Sequence, residues 1–158
     1  MSEKVPMTPE GQARLREEIK RLREVELPQV VKDIGTAREH GDLSENAEYH
    51  AAKERQGMIV ARINHIEQSL SRAEVIDPSK LSGSKIQFGA KVRLLNVDTE
   101  KEETFQIVGP EEADIKFGRI SVGSPLARGL LGREVGDEVK LQMPAGPRSY
   151  EILEITFG

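Results

Sequence analysis

The chain contains no cysteine and no tryptophan, and aromatic residues make up only 4% of it. Without cysteine, disulfides and thiolate metal sites are excluded. With so few rings, an aromatic-lined ligand pocket has little to be built from. Long apolar runs are missing as well. No stretch could span a bilayer, and the opening MSEKVPMTPEG lacks an apolar run of signal-peptide length. The expected compartment is the cytoplasm, with no membrane partner.

A dominant charge of one sign is also absent. The net charge is −4 over 158 residues. Residues 1–78 carry twelve Lys/Arg against fifteen Asp/Glu, and residues 79–158 carry eleven against twelve. Neither half has the basic balance by which a protein grips a nucleic-acid backbone unaided. Charged residues are 32% and hydrophobic residues 37% of the chain, which suits exposed helix over a modest core.

What is present divides into two periods. Thr8, Pro9 and Glu10 make a helix start: a hydroxyl cap, a proline in the first turn and an acid beside it. Apolar residues then recur at Leu15, Ile19 and Leu22, and again at Leu27, Val31 and Ile34, in the four-and-three steps of a helix-packing seam. The seam slips between Leu22 and Leu27, beside Pro28, where a bend is expected. After His40-Gly41-Asp42 a second helix follows, with a seam at Ile59, Ile63, Ile66, Leu70 and Ala73. Two helices of similar length joined by a short glycine-bearing turn form an antiparallel hairpin. At roughly 30 residues an arm its length is on the order of 45 Å.

Asp77-Pro78 ends the helical half, and the period then falls to two. Strand-like runs cover Ala90–Leu95, Thr104–Val108, Arg119–Val122, Glu138–Gln142 and Tyr150–Phe157. Ser124-Pro125 opens a short helix that closes at Gly132. The expected fold class is therefore α+β: a coiled-coil hairpin over residues 1–77, a linker over 78–84 and a small sheet-plus-helix domain over 85–158.

The chemistry concentrates at the hairpin turn. Asp42 and Glu45 stand three apart, so their carboxylates can point the same way. Hard oxygens suit Mg²⁺, which accepts one or two carboxylates and completes its shell with water or substrate phosphate. Two carboxylates are thus half a site, and the other ligands would come from another macromolecule. The same Asp-x-x-Glu spacing also fits a capping box, or a plain solvated turn. His40 and His50 flank the acids but match no common zinc spacing. Arg38, Lys53 and Arg55 form either a small basic face for RNA phosphate or ordinary helix-surface ion pairs. Tyr49 either packs across the hairpin or stacks on a base.

The run AREHGDLSENAEYHAAKERQ, Ala37 to Gln56, resembles the signature of the GreA/GreB transcript-cleavage factors. A second block, ISVGSPLARGLLG from Ile120 to Gly132, is similar to the C-terminal signature of that family, and the resemblance runs the length of the chain. It lies nearer GreA than GreB, whose coiled coil carries a broader basic patch. The resemblance implies an FKBP-like second domain that docks on bacterial RNA polymerase, and a hairpin that enters the secondary channel. It implies that Asp42 and Glu45 assist cleavage of the backtracked nascent RNA 3′ end, through Mg²⁺ held jointly with the polymerase and not by the isolated chain. The chain would be an accessory factor, monomeric when free, and the polymerase the enzyme. Arg38, Tyr49, Lys53 and Arg55 would lie at the RNA, and Ser124 and Pro125 at the polymerase rim, preceded by Gly123 where relatives often carry Asn or Asp. An anti-cleavage homologue using the same channel is the alternative, against which the intact Asp42/Glu45 pair argues. A prolyl isomerase would need an aromatic pocket, and a holdase an apolar tip.

Overall fold

A computed structural model describes residues 3–158. The chain forms two compact units. One runs from Gln12 to Arg72; the other joins the chain up to Gly11 with Ala73–Gly158. The first 77 residues are therefore not all hairpin. Val5–Met7 (β1) pairs in parallel with Ala73–Val75 (β2), Val5 opposite Ala73 and Met7 opposite Val75. Three-residue strands are too short to reveal a period, which is why both read as helix flank. Nor is the 78–84 segment wholly a linker. Asp77 caps a 3₁₀ turn at Pro78–Lys80, and Pro78 is buried.

Helix α1 spans Pro9–Arg21, in the hairpin unit from Gln12 onward, and leads into a π-helical turn over Leu22–Glu26. Helix α2 follows over Leu27–Arg38, with Pro28 in its first turn. The five-residue slip in the apolar seam is this turn, since the Leu27 N–H donates to the Leu22 carbonyl, an i to i+5 bond. Widening the helix there accommodates a proline that has no N–H to give. It also resets the face. Val30 is buried and Val31 is half exposed, so the apolar stripe of α2 is Leu27, Val30, Ile34 and Ala37, not the Val31 register read from spacing.

The return arm, α3 (Ala47–Arg72), is 26 residues long, or about 39 Å. It buries Ala52, Ile63 and Ile66, and Tyr49 and Ile59 pack against Val30, Ile34 and Ala52. Ion pairs bridge the arms. Arg62 donates to both Glu18 oxygens at 2.7 and 2.8 Å, which holds the Glu18 carboxyl below its usual pKa. Arg23 meets Glu67, and Arg55 lies 3.5 Å from Asp33.

The other unit carries a five-stranded sheet in the order β5-β4-β3-β7-β6. Its strands are Lys91–Asn96 (β3), Glu102–Val108 (β4), Arg119–Ser121 (β5), Glu138–Met143 (β6) and Gly146–Thr156 (β7). All neighbours are antiparallel except β4 and β5. The β3–β7 register shifts between Arg93 and Leu94, which bends the sheet. On its inner face Val92, Leu94, Ile107, Val139 and Ile152 enclose Leu126, Ala127 and Leu130 of a short helix α4 (Pro125–Leu130). Phe105 and Tyr150 are part of this core, Phe88 and Phe157 pack against it, and Phe117 faces solvent. Four of these five rings are thus used in packing. No helix among the described residues is long and apolar enough to cross a membrane.

Candidate functional site at the hairpin tip

Helix α2 ends with Glu39 and His40 donating their N–H groups to Thr36 and Ala37. Gly41, at φ +107°, reverses the chain in a conformation that costs a side-chain-bearing residue dearly. Asp42 then opens a 3₁₀ turn over Leu43–Glu45. Its Oδ1 accepts from the Ser44 N–H at 3.0 Å and from the Ser44 hydroxyl at 2.8 Å. These two bonds stabilise the ionised form, so the Asp42 carboxyl sits below its ordinary pKa, the hydroxyl contributing most. Asp42 is thus charged across the neutral and mildly acidic range. Its grip on Ser44 is lost only as the pH falls through the lowered value.

The capping box suggested by Asp-x-x-Glu does not form at this place. Helix α3 begins later, and its cap is Asn46, whose Oδ1 accepts the Tyr49 N–H at 3.0 Å. Asp42 instead caps the small turn before it, and the Glu45 side chain makes no hydrogen bond or ion pair among the described residues. Asn46 belongs to the tip motif but had no role in the sequence reading. The signal was there, since asparagine just before an amphipathic run is a helix-start mark.

The Asn46 side chain also reaches the other arm, donating Nδ2–H to the Ala37 carbonyl at 2.7 Å. Around it, Arg38 lies 6.0 Å over the Tyr49 ring, and Tyr49 meets His50 edge-on at 5.6 Å. His50 Nε2 is 3.3 Å from the Ser44 carbonyl oxygen, and His40 faces Glu48 at 3.9 Å. Both histidines are thereby engaged in the turn itself. Tyr49 packs across the hairpin. Lys53 donates to Gln56 at 3.3 Å, and Arg55 pairs with Asp33. Of the four cations and rings expected at the tip, Arg38 and Tyr49 adjoin the acidic turn, while Lys53 and Arg55 lie further along α3.

Whether these residues suit Mg²⁺ turns on their donor count. Asp42 has Oδ2 uncommitted, and Glu45 has both oxygens uncommitted and exposed. No group of three or more His, Asp or Glu able to hold a metal occurs among the described residues. Two carboxylates alone fall short of such a group, and Mg²⁺ takes only one or two carboxylates beside water or phosphate oxygens. In the other unit Ser124 caps α4, its Oγ accepting the Ala127 N–H at 3.2 Å, with Pro125 in the first turn. Ser124 and Pro125 lie together on that surface, in the unit that does not carry the acids.

Ser44→Ala, which removes the hydroxyl donor, is expected to raise the Asp42 pKa toward that of free aspartate. Carboxyl carbon shifts followed through an acid titration by NMR would register it. An unchanged midpoint would mean that the hydroxyl bond is not what lowers it.

The chain matches two family profiles: "Transcription elongation factor, N-terminal" over residues 5–75, and "Transcription elongation factor, GreA/GreB, C-term" over residues 81–157. It is 55% identical to transcription elongation factor GreA of Rhizobium leguminosarum bv. viciae, over all of both chains. It is 52% identical to the GreA of Thermodesulfovibrio yellowstonii over 99% of each. Among solved structures it is similar to GreA factor homolog 1 of Thermus thermophilus, at 32% identity. That match covers 96% of this chain and 98% of the other, with a TM-score of 0.44.

Proposed function

The chain belongs to the GreA/GreB family of transcription elongation factors, and from that premise we propose that it stimulates RNA polymerase to cleave backtracked RNA. The observation that carries this reading is the tip: an ionised Asp42 fixed by Ser44 beside an unpaired, exposed Glu45. Asp42 holds its own turn through one oxygen, and Glu45 makes no hydrogen bond or ion pair among the described residues. The pair suits delivery into a cavity that already holds nucleic acid and cation.

In this proposal the sheet unit docks at the polymerase surface through the segment around Ser124 and Pro125, and the hairpin enters the secondary channel. Asp42 offers Oδ2 while Ser44 holds its other oxygen, so the carboxylate presents one lone-pair edge instead of rotating freely. Glu45, without a hydrogen-bond or ion-pair partner among the described residues, supplies the second carboxylate and can accept a hydrogen bond from the attacking water. Mg²⁺ held jointly with the polymerase would supply charge neutralisation on the attacking and leaving oxygens of the phosphodiester. Arg38 and Tyr49 adjoin the turn and would meet the RNA, with Lys53 and Arg55 further up the arm toward its phosphates. The polymerase remains the enzyme, and this chain, acting as a monomer, contributes ligands and orientation.

Elongation complexes stalled by backtracking, with labelled RNA, test the function. Adding the protein is expected to accelerate release of 3′ fragments and to restore synthesis. Binding without accelerated release, or with inhibited synthesis, would assign the chain to the inhibitory kind of relative instead.

A further inference from the structure

The acidic turn carries its ligands on eight residues, 39–46, strung between two helix ends. An acid pair displaced by even 1 Å from its productive place can lose about 100-fold in rate. Something must hold it. The backbone bonds within the turn, Asn46 N–H to Leu43 and His40 N–H to Ala37, are local and tie neither arm to the other.

We propose that Asn46 is the positioning residue of the acidic tip, acting as a two-sided tie that caps both arms with one side chain. Its Oδ1 takes the Tyr49 N–H, one of the orphan donors at the start of α3. Its Nδ2 gives a hydrogen to the Ala37 carbonyl in the last turn of α2, an acceptor that also receives the His40 N–H. The bond to Ala37 closes the loop across nine positions at 2.7 Å, and Glu45 is covalently next to the residue that makes it. Only a side chain with both a donor and an acceptor, and of this reach, can do both jobs. Aspartate can cap but has no hydrogen to donate, and serine can cap but is too short to cross. The His50 contact to the Ser44 carbonyl supports the same turn from the α3 side. The cleavage function proposed above is presupposed here, and this inference adds which residue sets the geometry of its ligands.

The test uses the full chain with Asn46→Ser and Asn46→Asp, both of which keep the α3 cap and remove the cross-arm bond. Cleavage by backtracked complexes is followed against factor concentration and against Mg²⁺, with Asp42→Asn as the control for a lost ligand. Both variants are expected to retain helix content and to half-saturate the polymerase within about twofold of wild type. At saturation they are expected to cleave ~10-fold or more slowly and to need more Mg²⁺. The two variants differ in charge and size and share only the loss of the cross-arm bond, so slowness in both isolates that bond. Amide hydrogen exchange at Leu43, Ser44 and Glu45 in the free proteins, expected to accelerate in both, reads the tie without reference to activity. Unchanged exchange, saturated rates equal to wild type, or a deficit that more factor repairs would each overturn the positioning role. Wild type that binds but does not cleave would overturn the cleavage function, and this role with it. Wild type that cleaves beside variants that cleave equally well overturns this role alone.

Discussion

Asp42→Asn and Glu45→Gln are each expected to reduce stimulated RNA cleavage by ~100-fold or more, the scale of removing one electrostatic stabiliser from an active site, while polymerase binding stays within about twofold. The choice of substitution follows from the geometry. Asparagine at 42 keeps an oxygen to accept both Ser44 bonds, so the 3₁₀ turn persists while the charge is removed. Alanine would lose the turn and the charge together and would leave the cause ambiguous. At 45 no hydrogen bond among the described residues depends on the side chain, so glutamine changes only charge and basicity. Competition against a labelled wild-type factor measures binding, and 3′ fragment release measures cleavage. A double variant that still cleaves at the wild-type rate would show that the tip acids are surface charge and nothing more.

The second large effect is expected far from the tip, at Glu112. This residue is only 6% exposed, yet it is a carboxylate. Its Oε2 accepts the Thr8 N–H and the Gly109 N–H, each at 3.0 Å, and its Oε1 accepts the Thr8 hydroxyl. Thr8 Oγ1 in turn accepts the Gly11 N–H at 3.1 Å and so caps α1. One buried side chain thereby fastens β1 and residues 8–11 to the rest of their own unit. Glu112→Ala strands two backbone donors and a hydroxyl, at about 1–3 kcal/mol each. A total near 3–5 kcal/mol is expected in urea unfolding, large beside the marginal stability of a domain.

Gly11 sharpens the test. A Cβ there would fall 2.2 Å from the Glu112 carboxyl, which its hydrogen bonds hold in place. Gly11→Ala alone should therefore cost about 2–3 kcal/mol through broken bonds to Glu112. In the Glu112→Ala background the obstruction is gone, and alanine's helix propensity should make the same change neutral or favourable by up to ~1 kcal/mol. Additive effects in this double-mutant cycle would mean that the two residues do not meet.

Much of this was legible along the chain because it is local. Period four-and-three gave the hairpin arms, period two gave the five strands of the sheet, and Thr8-Pro9 and Ser124-Pro125 announced helix starts by chemistry confined to one turn. The AREHGDLSENAEYH run placed the acids at the turn for the same reason. The tertiary structure decided what depends on partners distant in sequence or on the exact count of residues per turn. Val30 replaced Val31 in the seam because a π turn at Leu22–Glu26 inserts a residue that an ideal helical period cannot anticipate. The β1 and β2 strands, three residues each, exist because they find one another across 68 positions, Val5 beside Ala73. Glu112 reads as one acid of a solvated Pro-Glu-Glu turn until Thr8 arrives from 104 positions away to bury it. At the tip, composition named Asp42 and Glu45. The contact of Asn46 with the Ala37 carbonyl appears only in the fold, because a hydrogen bond between two arms exists once the chain has folded back on itself.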